Sequence, residues 1–211
     1  IFKFRLNIYA EHFYKISHNL LGIKGSKFDN IKDVYSHAQA LSQSSNYIKK
    51  NNLTEQVRAD TAGSAKFVSE TKDKTKGAIA SILSAEIYDL EVIDKDIQDN
   101  KENFTRFLLM GKDIMQPEND GKSYVTSFLF KLKSKPAALY SALQGMAING
   151  VNMIKLQSFP EKNSFSSYFF LCEVEGHIDD QKIKNSLEDL NYHCEDMSVL
   201  GVFEADKLRK K

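Results

Sequence analysis

Thr105 and Arg106 place a hydroxyl group beside a guanidinium group, between Phe104 and Phe107, at the start of an apolar segment. A guanidinium group can hold a carboxylate through two parallel hydrogen bonds, and a threonine hydroxyl can donate a hydrogen bond to a departing oxygen. An arginine in apolar surroundings needs a partner, because burial of an unpaired charge is costly. The segment therefore predicts either a site for a carboxylate-bearing substrate or a structural arginine at a strand edge.

Two predicted helix starts have the composition of anion-binding sites. Ser36-His37-Ala38-Gln39 and Asp60-Thr61-Ala62-Gly63-Ser64-Ala65 each follow a short predicted strand. The free N–H groups and the dipole of a helix N-terminus favour a carboxylate or a phosphate, and in open α/β sheets ligands bind at the carboxyl ends of strands. The pattern indicates a cleft for a small molecule with two carboxylates. The alternative is ordinary helix capping by Ser36 and Asp60.

The sequence gives no indication of a metal site, a nucleotide cofactor or cysteine redox chemistry. The histidines lack the spacing and the acidic neighbours of a zinc site. No GxGxxG, P-loop, GxSxG or CxxC motif is present, so nothing indicates a nucleotide cofactor or cysteine redox chemistry. Cys172 and Cys194 are too few for a disulfide scaffold, which fits a reducing cytoplasm.

Composition and charge argue against several classes of partner. The chain has 29 Lys and Arg against 28 Asp and Glu, a formal net charge of +1, so no excess positive field favours nucleic acid or an anionic membrane. Hydrophobic residues make up 42% and charged residues 27%, the balance of a globular protein. Apolar runs such as residues 107–110 are far shorter than the roughly 20 residues that span a bilayer. We expect a cytoplasmic protein with neither nucleic acid nor membrane as a partner.

Strand-like and helix-like segments alternate before a polar joint at residues 111–122, which holds two glycines and a proline. Alternation of this kind predicts an α/β layer with parallel strands. The stretch from Ala10 to Gly25 reads as irregular. The predicted strands are Phe2–Tyr9, Ile31–Tyr35, Gln56–Ala59, Ala78–Ala80, Glu91–Ile93 and Thr105–Met110. The predicted helices are Ala38–Lys49, Thr61–Glu70 and Ser81–Tyr88.

After the joint the predicted order is β-α-β-β-α-β, the ferredoxin-like plan, which by itself names no function. The first helix begins at Pro136 and ends near Gly150, and the second covers Asp179–Leu190. The predicted strands are Tyr124–Lys133, Val151–Phe159, Ser166–Glu175 and His193–Phe203.

Several of these motifs, in the same order, resemble those of prephenate dehydratases. Val34–Leu41 is similar to the family's VYSHPQAL, with Ala38 in place of proline, and Asp60–Ala65 is similar to its DTAGSA. Ala78–Ser81 matches AIAS, and Asn103–Phe107 contains the TRF signature. In the second block, Glu175-Gly176-His177 and Leu200-Gly201 resemble the family's C-terminal ACT domain. The resemblance covers nearly all of the chain.

This resemblance implies an enzyme that converts prephenate to phenylpyruvate in L-phenylalanine biosynthesis, with loss of water and carbon dioxide and no metal or organic cofactor. By resemblance, Thr105 acts at the ring hydroxyl, Arg106 holds a carboxylate, and Phe107 shapes the apolar wall. The residues that would line the rest of the cleft are Ser36, His37, Gln39, Thr61, Ala62, Gly63, Ser64 and Asn103.

The family's fold is a two-lobed α/β catalytic domain, similar to periplasmic binding proteins, followed by a ferredoxin-like βαββαβ ACT domain. We therefore predict a catalytic domain at residues 1–112, a linker at 113–122, an ACT domain at 123–204 and a charged tail at 205–211. The family's first lobe and its ENS motif do not appear in the sequence. We expect an N-terminal lobe before Ile1, and we expect this polypeptide alone to hold half of the cleft.

The family's ACT domain binds L-phenylalanine at a dimer interface, through motifs that this sequence alters. Ala137 stands where the first motif has glycine, and a backbone pocket that needs glycine is narrowed by a methyl group. Gln157–Pro160 replaces ESRP and loses its acidic residue and its arginine. We expect weak or absent feedback, and a homodimer or homotetramer. The candidate effector-site residues are Ala138, Leu139, Asn152, Gln157 and Ser158.

Two alternatives stay open. The chain could be a ligand-binding or regulatory ACT protein that has lost turnover, or a lyase that acts on arogenate, the aminated substrate. The TRF signature favours an enzyme, but nothing in the sequence decides between an oxo group and an amino group on the substrate.

Overall fold

A computed structural model describes residues 6–161 and 167–210 of the chain. They form two compact units. The central unit is Tyr14–Thr105, and the terminal unit combines the chain up to Phe13 with the chain from Arg106 onward. The first residues of the predicted strand Phe2–Tyr9 lie outside the described ranges.

The strands and helices occur in the following order along the chain. The strands are β1 (Asn7–Lys15), β2 (Asn19–Ile23), β3 (Asp33–His37), β4 (Thr54–Arg58), β5 (Lys76–Ala80), β6 (Leu90–Asp94), β7 (Phe104–Gly111), β8 (Tyr124–Leu132), β9 (Met153–Pro160), β10 (Tyr168–Glu175) and β11 (Cys194–Glu204). The helices are α1 (Ala38–Ser42), α2 (Ser45–Lys50), α3 (Thr61–Thr71), α4 (Ile82–Ile87), α5 (Ala138–Ile148) and α6 (Gln181–His193).

The central unit contains a mixed five-stranded sheet in the order β4-β3-β5-β2-β6. Strand β3 runs parallel to β4 and β5, whereas β2 runs antiparallel to β5 and β6. The prediction of a parallel sheet is therefore correct for β3, β4 and β5 and wrong for β2. The expectation of an irregular stretch as far as Gly25 is also wrong. Leu20 and Leu21 are both fully buried, so β2 lacks the alternation that marks a half-buried strand.

Apolar side chains cover both faces of this sheet. Leu20, Val34 and Ile79 pack with residues of α1 and α2 in one cluster, and Leu21 and Ala78 pack with residues of α3 and α4 in another. The sheet is thus a central layer between helices. Polar groups can therefore lie in the loops at its edge.

The predicted helix Ala38–Lys49 is divided into α1 and α2. The backbone N–H of Asn46 donates to the carboxylate of Asp99 at 3.2 Å, and the hydroxyl of Ser45 donates to the same carboxylate at 3.2 Å. A carboxylate that satisfies the free N–H groups of a new first turn starts a second helix. Asp99 is distant in sequence, so the helix pattern alone could not show this break.

The terminal unit has the predicted β-α-β-β-α-β order, from β8 to β11. Its four strands form an antiparallel sheet in the order β11-β8-β10-β9. One face packs against α5 and α6, with Phe128, Phe130 and Leu190 buried. The other face includes Leu129 and Phe203, and β1 contributes Ile8 to that second core.

Gly201 on β11 allows a close backbone approach to β1. A Cβ atom at this position would collide with the backbone carbonyl of Ile8. Only glycine leaves room for two chains at this separation. The β1 strand is therefore an integral part of the terminal unit.

The compact units differ from the predicted boundaries at residues 112 and 123. The segment up to Phe13 belongs with the C-terminal half because Ile8 is buried there, and because Asp206 accepts a hydrogen bond from the N–H of Phe13 at 3.2 Å. The predicted tail contains a short 3₁₀ helix, Lys207–Lys210, and Arg209 within it donates a hydrogen bond to Glu11. Within the described ranges, no helix has both the length and the hydropathy to cross a membrane.

Candidate active site

A cavity of about 360 Å³ opens in the central unit, at the ends of β3 and β4. It is lined by the starts of α1 and α3 and by the segment that leads into β7. The sequence-predicted residues found in its lining are His37, Gln39, Thr61, Asn103 and Thr105. The two helix starts and the TRF segment, which are distant from one another in the sequence, thus meet at one cavity.

His37 caps the first turn of α1. Its Nδ1 atom accepts a hydrogen bond from the backbone N–H of Gln39 at 3.2 Å, and both side chains are exposed. Ser36 has a different role, because its side chain is fully buried and its hydroxyl donates to the carbonyl of Ile79 at 2.6 Å. Ser36 therefore ties β3 to β5 behind the cavity.

Asp60 caps α3, as the sequence predicts. Its carboxylate accepts the N–H of Gly63, and the hydroxyl of Ser64 donates to the carbonyl of Asp60 at 2.7 Å. Ser64 is fully buried, whereas Thr61 faces the cavity and Ala62 is exposed beside it. The backbone of the first turn of α3 thus lies at the cavity, and the Ser64 side chain supports it from within.

Three polar side chains form a hydrogen-bonded group along one wall. Gln43 Oε1 lies 2.9 Å from His18 Nε2 and accepts from Asn103 Nδ2 at 3.2 Å. The carbonyl of Asn103 accepts the N–H of Ile16 at 2.8 Å. Sequence reasoning missed both Gln43 and His18. Gln39 and Gln43 are four residues apart, a spacing that puts two side chains on one helix face, and this could have indicated Gln43.

Thr105 and Arg106 have separate surroundings, because adjacent side chains on a strand point to opposite faces. Thr105 lines the cavity. Arg106 Nε donates to Glu11 at 2.7 Å, and its Nη1 donates to both oxygens of Glu173 at 2.9 and 2.8 Å. These contacts favour the alternative given for Arg106, a structural arginine. Phe107 is 56% exposed, and Phe104 supplies the aromatic ring in the cavity lining.

Glu11 joins a second arginine to this group. Its carboxylate accepts from Arg209 Nη2 at 2.8 Å and from the N–H of Asp206 at 3.0 Å. Burial opposes ionisation of Glu11, but the hydrogen bonds from Arg209 and Asp206 and the charge of Arg106 outweigh it and lower the pKa of Glu11. The same pairing raises the pKa of Arg209. The negative charges of the buried Glu11 and Glu173 carboxylates are thus compensated by the positive charges of two guanidinium groups.

The effector-site candidates all lie in the terminal unit. Ala138 and Leu139 are partly buried in the first turn of α5, after Ala137, whose φ of 59° is left-handed. Asn152 Nδ2 donates to Glu175 at 2.8 Å. Gln157 and Ser158 are exposed on β9, which is an edge strand.

No group of three or more His, Cys, Asp or Glu side chains in the described part of the chain is arranged to hold a metal ion. Cys172 and Cys194 are both buried and free. Burial raises the pKa of the Cys172 thiol to about 12 and that of the Cys194 thiol to about 11. Buried thiols of this kind are inert, which leaves the cavity side chains as the candidates for chemistry.

Residues 1–115 match the family model described as "Prephenate dehydratase". The chain is 38% identical to a prephenate dehydratase of Methanocaldococcus jannaschii, over 94% of this chain and 71% of that protein. It is 36% identical to a bifunctional N-acyl-homoserine lactone acylase/prephenate dehydratase of Komagataeibacter europaeus, over 98% of this chain and 73% of that protein.

Two further similarities concern the substrate and the effector. The chain is 34% identical to arogenate dehydratase 2 of Petunia hybrida, over 98% of this chain and 56% of that protein. A solved prephenate dehydratase from Arthrobacter aurescens, in complex with L-Phe, is similar with a TM-score of 0.85 and 27% identity. That similarity covers 95% of this chain and 66% of the solved chain.

Proposed function

This chain belongs to the prephenate dehydratase family, and on that premise we propose that the cavity of the central unit binds prephenate for conversion to phenylpyruvate. The observation that carries the assignment of the site is the convergence of Thr105, Asn103 and the first turn of α3 on one cavity. These are the polar groups that a doubly anionic ring acid requires, since it presents two carboxylates and a hydroxyl group.

The reaction breaks two bonds of the substrate. Release of carbon dioxide breaks the bond between the ring and its carboxylate, and the electron pair of that bond enters the ring. The ring C–O bond breaks in the same process, and the departing hydroxide takes up a proton from the surrounding water to leave as water. The ring becomes aromatic, which drives the reaction, so the protein mainly has to orient the substrate and assist the departing oxygen.

Neutral donors fit this task in the cavity. Thr105 donates a hydrogen bond to the departing ring oxygen. The backbone N–H groups at Thr61 and Ala62, at the positive end of α3, receive one carboxylate. The amide nitrogen of Gln43 serves as a donor to another substrate oxygen. In the described part of the chain, no lysine or arginine side chain lines this cavity, so backbone and amide donors carry the binding of the anion.

Arg106 serves this site indirectly in our proposal. Its three hydrogen bonds to Glu11 and Glu173 fix the side chain that follows Thr105 on β7. A strand residue whose neighbour is anchored on the opposite face loses rotational freedom, and preorganisation of that kind supports catalysis. Arg106 is therefore a positioning residue, and we assign the aromatic wall to Phe104, which lines the cavity.

Substitution of Thr105 tests the proposal in the natural full-length protein. Thr105→Val keeps the shape and removes the hydroxyl, so we expect kcat to fall by about 100-fold, the usual effect of one lost transition-state donor. Thr105→Ser retains the hydroxyl and should lose less than about tenfold. Phenylpyruvate is measured by its absorbance after addition of alkali. Thr54→Val, on exposed β4, is the matched control, and equal kcat values for Thr105→Val and wild type would refute the role of Thr105.

Arogenate is the second candidate substrate, supported by the similarity to the Petunia protein. The two substrates differ at the side-chain oxo or amino group, and their products are phenylpyruvate and phenylalanine. Comparison of kcat/KM for both substrates with one enzyme preparation decides between them. If the protein binds prephenate without turning over either substrate, the non-catalytic alternative holds.

We also propose that residues 123–204, within the terminal unit, form an ACT domain with weakened L-phenylalanine feedback. The strand order β11-β8-β10-β9 and the similarity to the Arthrobacter complex support the domain assignment. Ala137, Gln157 and Phe159 support the weakening, since each replaces a residue of the family's motifs. Calorimetric titration should show no binding at micromolar L-phenylalanine, and micromolar affinity would contradict the proposal.

We propose, further, a cytoplasmic homodimer or homotetramer. The edge strand β9 exposes Leu156 to 39% and Phe159 to 40%, and an apolar edge strand favours pairing with a second chain. Light scattering coupled to gel filtration gives the mass in solution. A monomeric mass at all concentrations would exclude the dimer.

A further inference from the structure

His18 occupies a fixed position on the wall of the cavity. It lies between β1 and β2 and is 7% exposed. Its backbone N–H donates to Gln98 Oε1 at 2.9 Å, and its carbonyl accepts the N–H of Ile97 at 2.9 Å. Two backbone hydrogen bonds and burial leave the imidazole little freedom, so its Nε2 atom meets Gln43 at a defined point.

The orientation of the Gln43 amide follows from its two neighbours. Its Oε1 atom lies 2.9 Å from His18 Nε2 and 3.2 Å from Asn103 Nδ2. An amide oxygen has two lone pairs, and these two donors use both of them. The Nε2 atom of Gln43 makes no hydrogen bond to the part of the chain that the structure describes, and the side chain lines the cavity. The donor end of this amide is therefore available to a ligand.

We infer that His18 is a positioning residue for the dehydration: it holds the Gln43 amide so that Nε2 donates to an oxygen of the bound substrate. This inference rests on the proposed function. It specifies how the described lining of that site, which holds no lysine or arginine, recognises an anion. The same contact steadies Asn103, two residues before Thr105. With His18 removed, the Gln43 amide can turn and present its oxygen, which repels a carboxylate.

The opposite orientation of the Gln43 amide predicts the other tautomer of the His18 imidazole. In the structure, Gln43 Oε1 is the acceptor, so the proton of a neutral His18 resides on Nε2. If the amides of Gln43 and Asn103 were both rotated, Gln43 would donate to His18, and the proton would reside on Nδ1. The nitrogen chemical shifts of the His18 ring in the wild-type protein distinguish the two. The Nε2–H tautomer is expected, and the Nδ1–H tautomer would overturn the inference.

Kinetics of substituted full-length protein complete the test. His18→Leu removes the donor, and we expect kcat/KM for prephenate to fall by about 10- to 100-fold. His18→Gln can place an amide N–H near the former Nε2, and it should recover activity to within about fivefold of wild type. Rescue by His18→Gln separates positioning from a general loss of structure.

Gln56→Leu is the matched control. It removes a side-chain hydrogen bond of 3.3 Å to Asp33 on β3, in the same unit but outside the cavity lining, and should leave kcat/KM within about twofold of wild type. If His18→Leu is as active as wild type, or His18→Gln is as impaired as His18→Leu, the positioning role is wrong. If the wild-type protein itself does not turn over prephenate, the proposed function fails instead.

Discussion

Arg106 Nη1 donates hydrogen bonds to both carboxylate oxygens of Glu173, at 2.9 and 2.8 Å. The Glu173 side chain is 1% exposed, and that of Arg106 is 17% exposed. Water screens such a pair poorly, so each partner depends on the other for compensation of its charge. The arginine of the TRF signature is thus bonded to β10 within the terminal unit, which gives the residue a structural reason to be arginine.

Removal of one partner should expose this dependence. Glu173→Ala leaves Arg106 with a buried charge that Glu11 only partly compensates, and we expect the free energy of unfolding to fall by about 3 kcal/mol. Urea denaturation monitored by circular dichroism measures the loss. Glu188→Ala, on the exposed face of α6, should change stability by less than about 0.5 kcal/mol. Equal stability of Glu173→Ala and wild type would contradict the described ion pair.

Acid should weaken the terminal unit through Glu11. The pKa of Glu11 is lowered from its ordinary value of 4.5 because hydrogen bonds and arginine charges outweigh the opposing effect of burial. A lowered pKa contributes stability that is present above the ordinary pKa and is lost as pH falls through the folded-state pKa. The stability difference between wild type and Glu11→Gln should therefore narrow on acidification below 4.5. Unfolding curves over a pH series measure it, and a constant difference would refute the assignment.

Ala137 is strained, and glycine should relieve the strain. Its φ of 59° lies in the left-handed region, which costs a non-glycine residue about 1–2 kcal/mol. Glycine is more flexible in the unfolded chain, so we expect Ala137→Gly to raise the free energy of unfolding by up to about 1 kcal/mol. Ala147→Gly, inside α5, should have the opposite sign, with a loss of about 0.5 kcal/mol or more. Thermal unfolding compares the two, and a loss for both variants would show that Ala137 is unstrained.

The cap of α3 can be tested apart from catalysis. Asp60→Ala removes the acceptor for the N–H of Gly63 and should cost about 1 kcal/mol of stability. Asp60→Asn retains an oxygen acceptor and should recover most of that loss. Chemical denaturation provides the measurement. If Asp60→Asn is as unstable as Asp60→Ala, the cap is not the source of the effect.

Both cysteines should resist modification in the folded protein. The pKa of Cys172 is raised to about 12 and that of Cys194 to about 11 by burial, so little thiolate exists at mildly alkaline pH. A colorimetric disulfide reagent should react at least about 100-fold faster after denaturation in urea than before. Rapid reaction of native protein would show that the thiols are accessible.

Local signals were sufficient for much of the fold. Helix α3 could be predicted because its signals lie within one short segment. Asp60 is the N-cap, and the first turn and the apolar spacing follow directly after it. The β-α-β-β-α-β order after the joint could be predicted for the same reason, because Pro136 precedes a helix and short segments rich in Phe, Tyr, Val and Leu mark the strands. In both cases the residues that determine the element are neighbours in sequence.

Other features depend on distant residues and could not be predicted. Strand β2 is buried on both faces, so its sequence shows no period of two. The sequence motif predicts that Ser36 lines the cleft, but its hydroxyl donates a hydrogen bond to the carbonyl of Ile79 on the neighbouring strand. The partners of Arg106 lie 95 and 67 residues away, at Glu11 and Glu173. Composition and spacing give no indication of contacts at such separations.

The close approach of Gly201 to Ile8 has a practical consequence for protein engineering. Deletion of a regulatory module is a common route to a catalyst that is insensitive to its end product. In this protein, a chain that ends within residues 111–122 would lack the residues that bury Ile8 and the arginine that pairs with Glu11. Both side chains would then be left without their partners. Point substitutions within the intact polypeptide are thus the sounder way to test the proposed effector site.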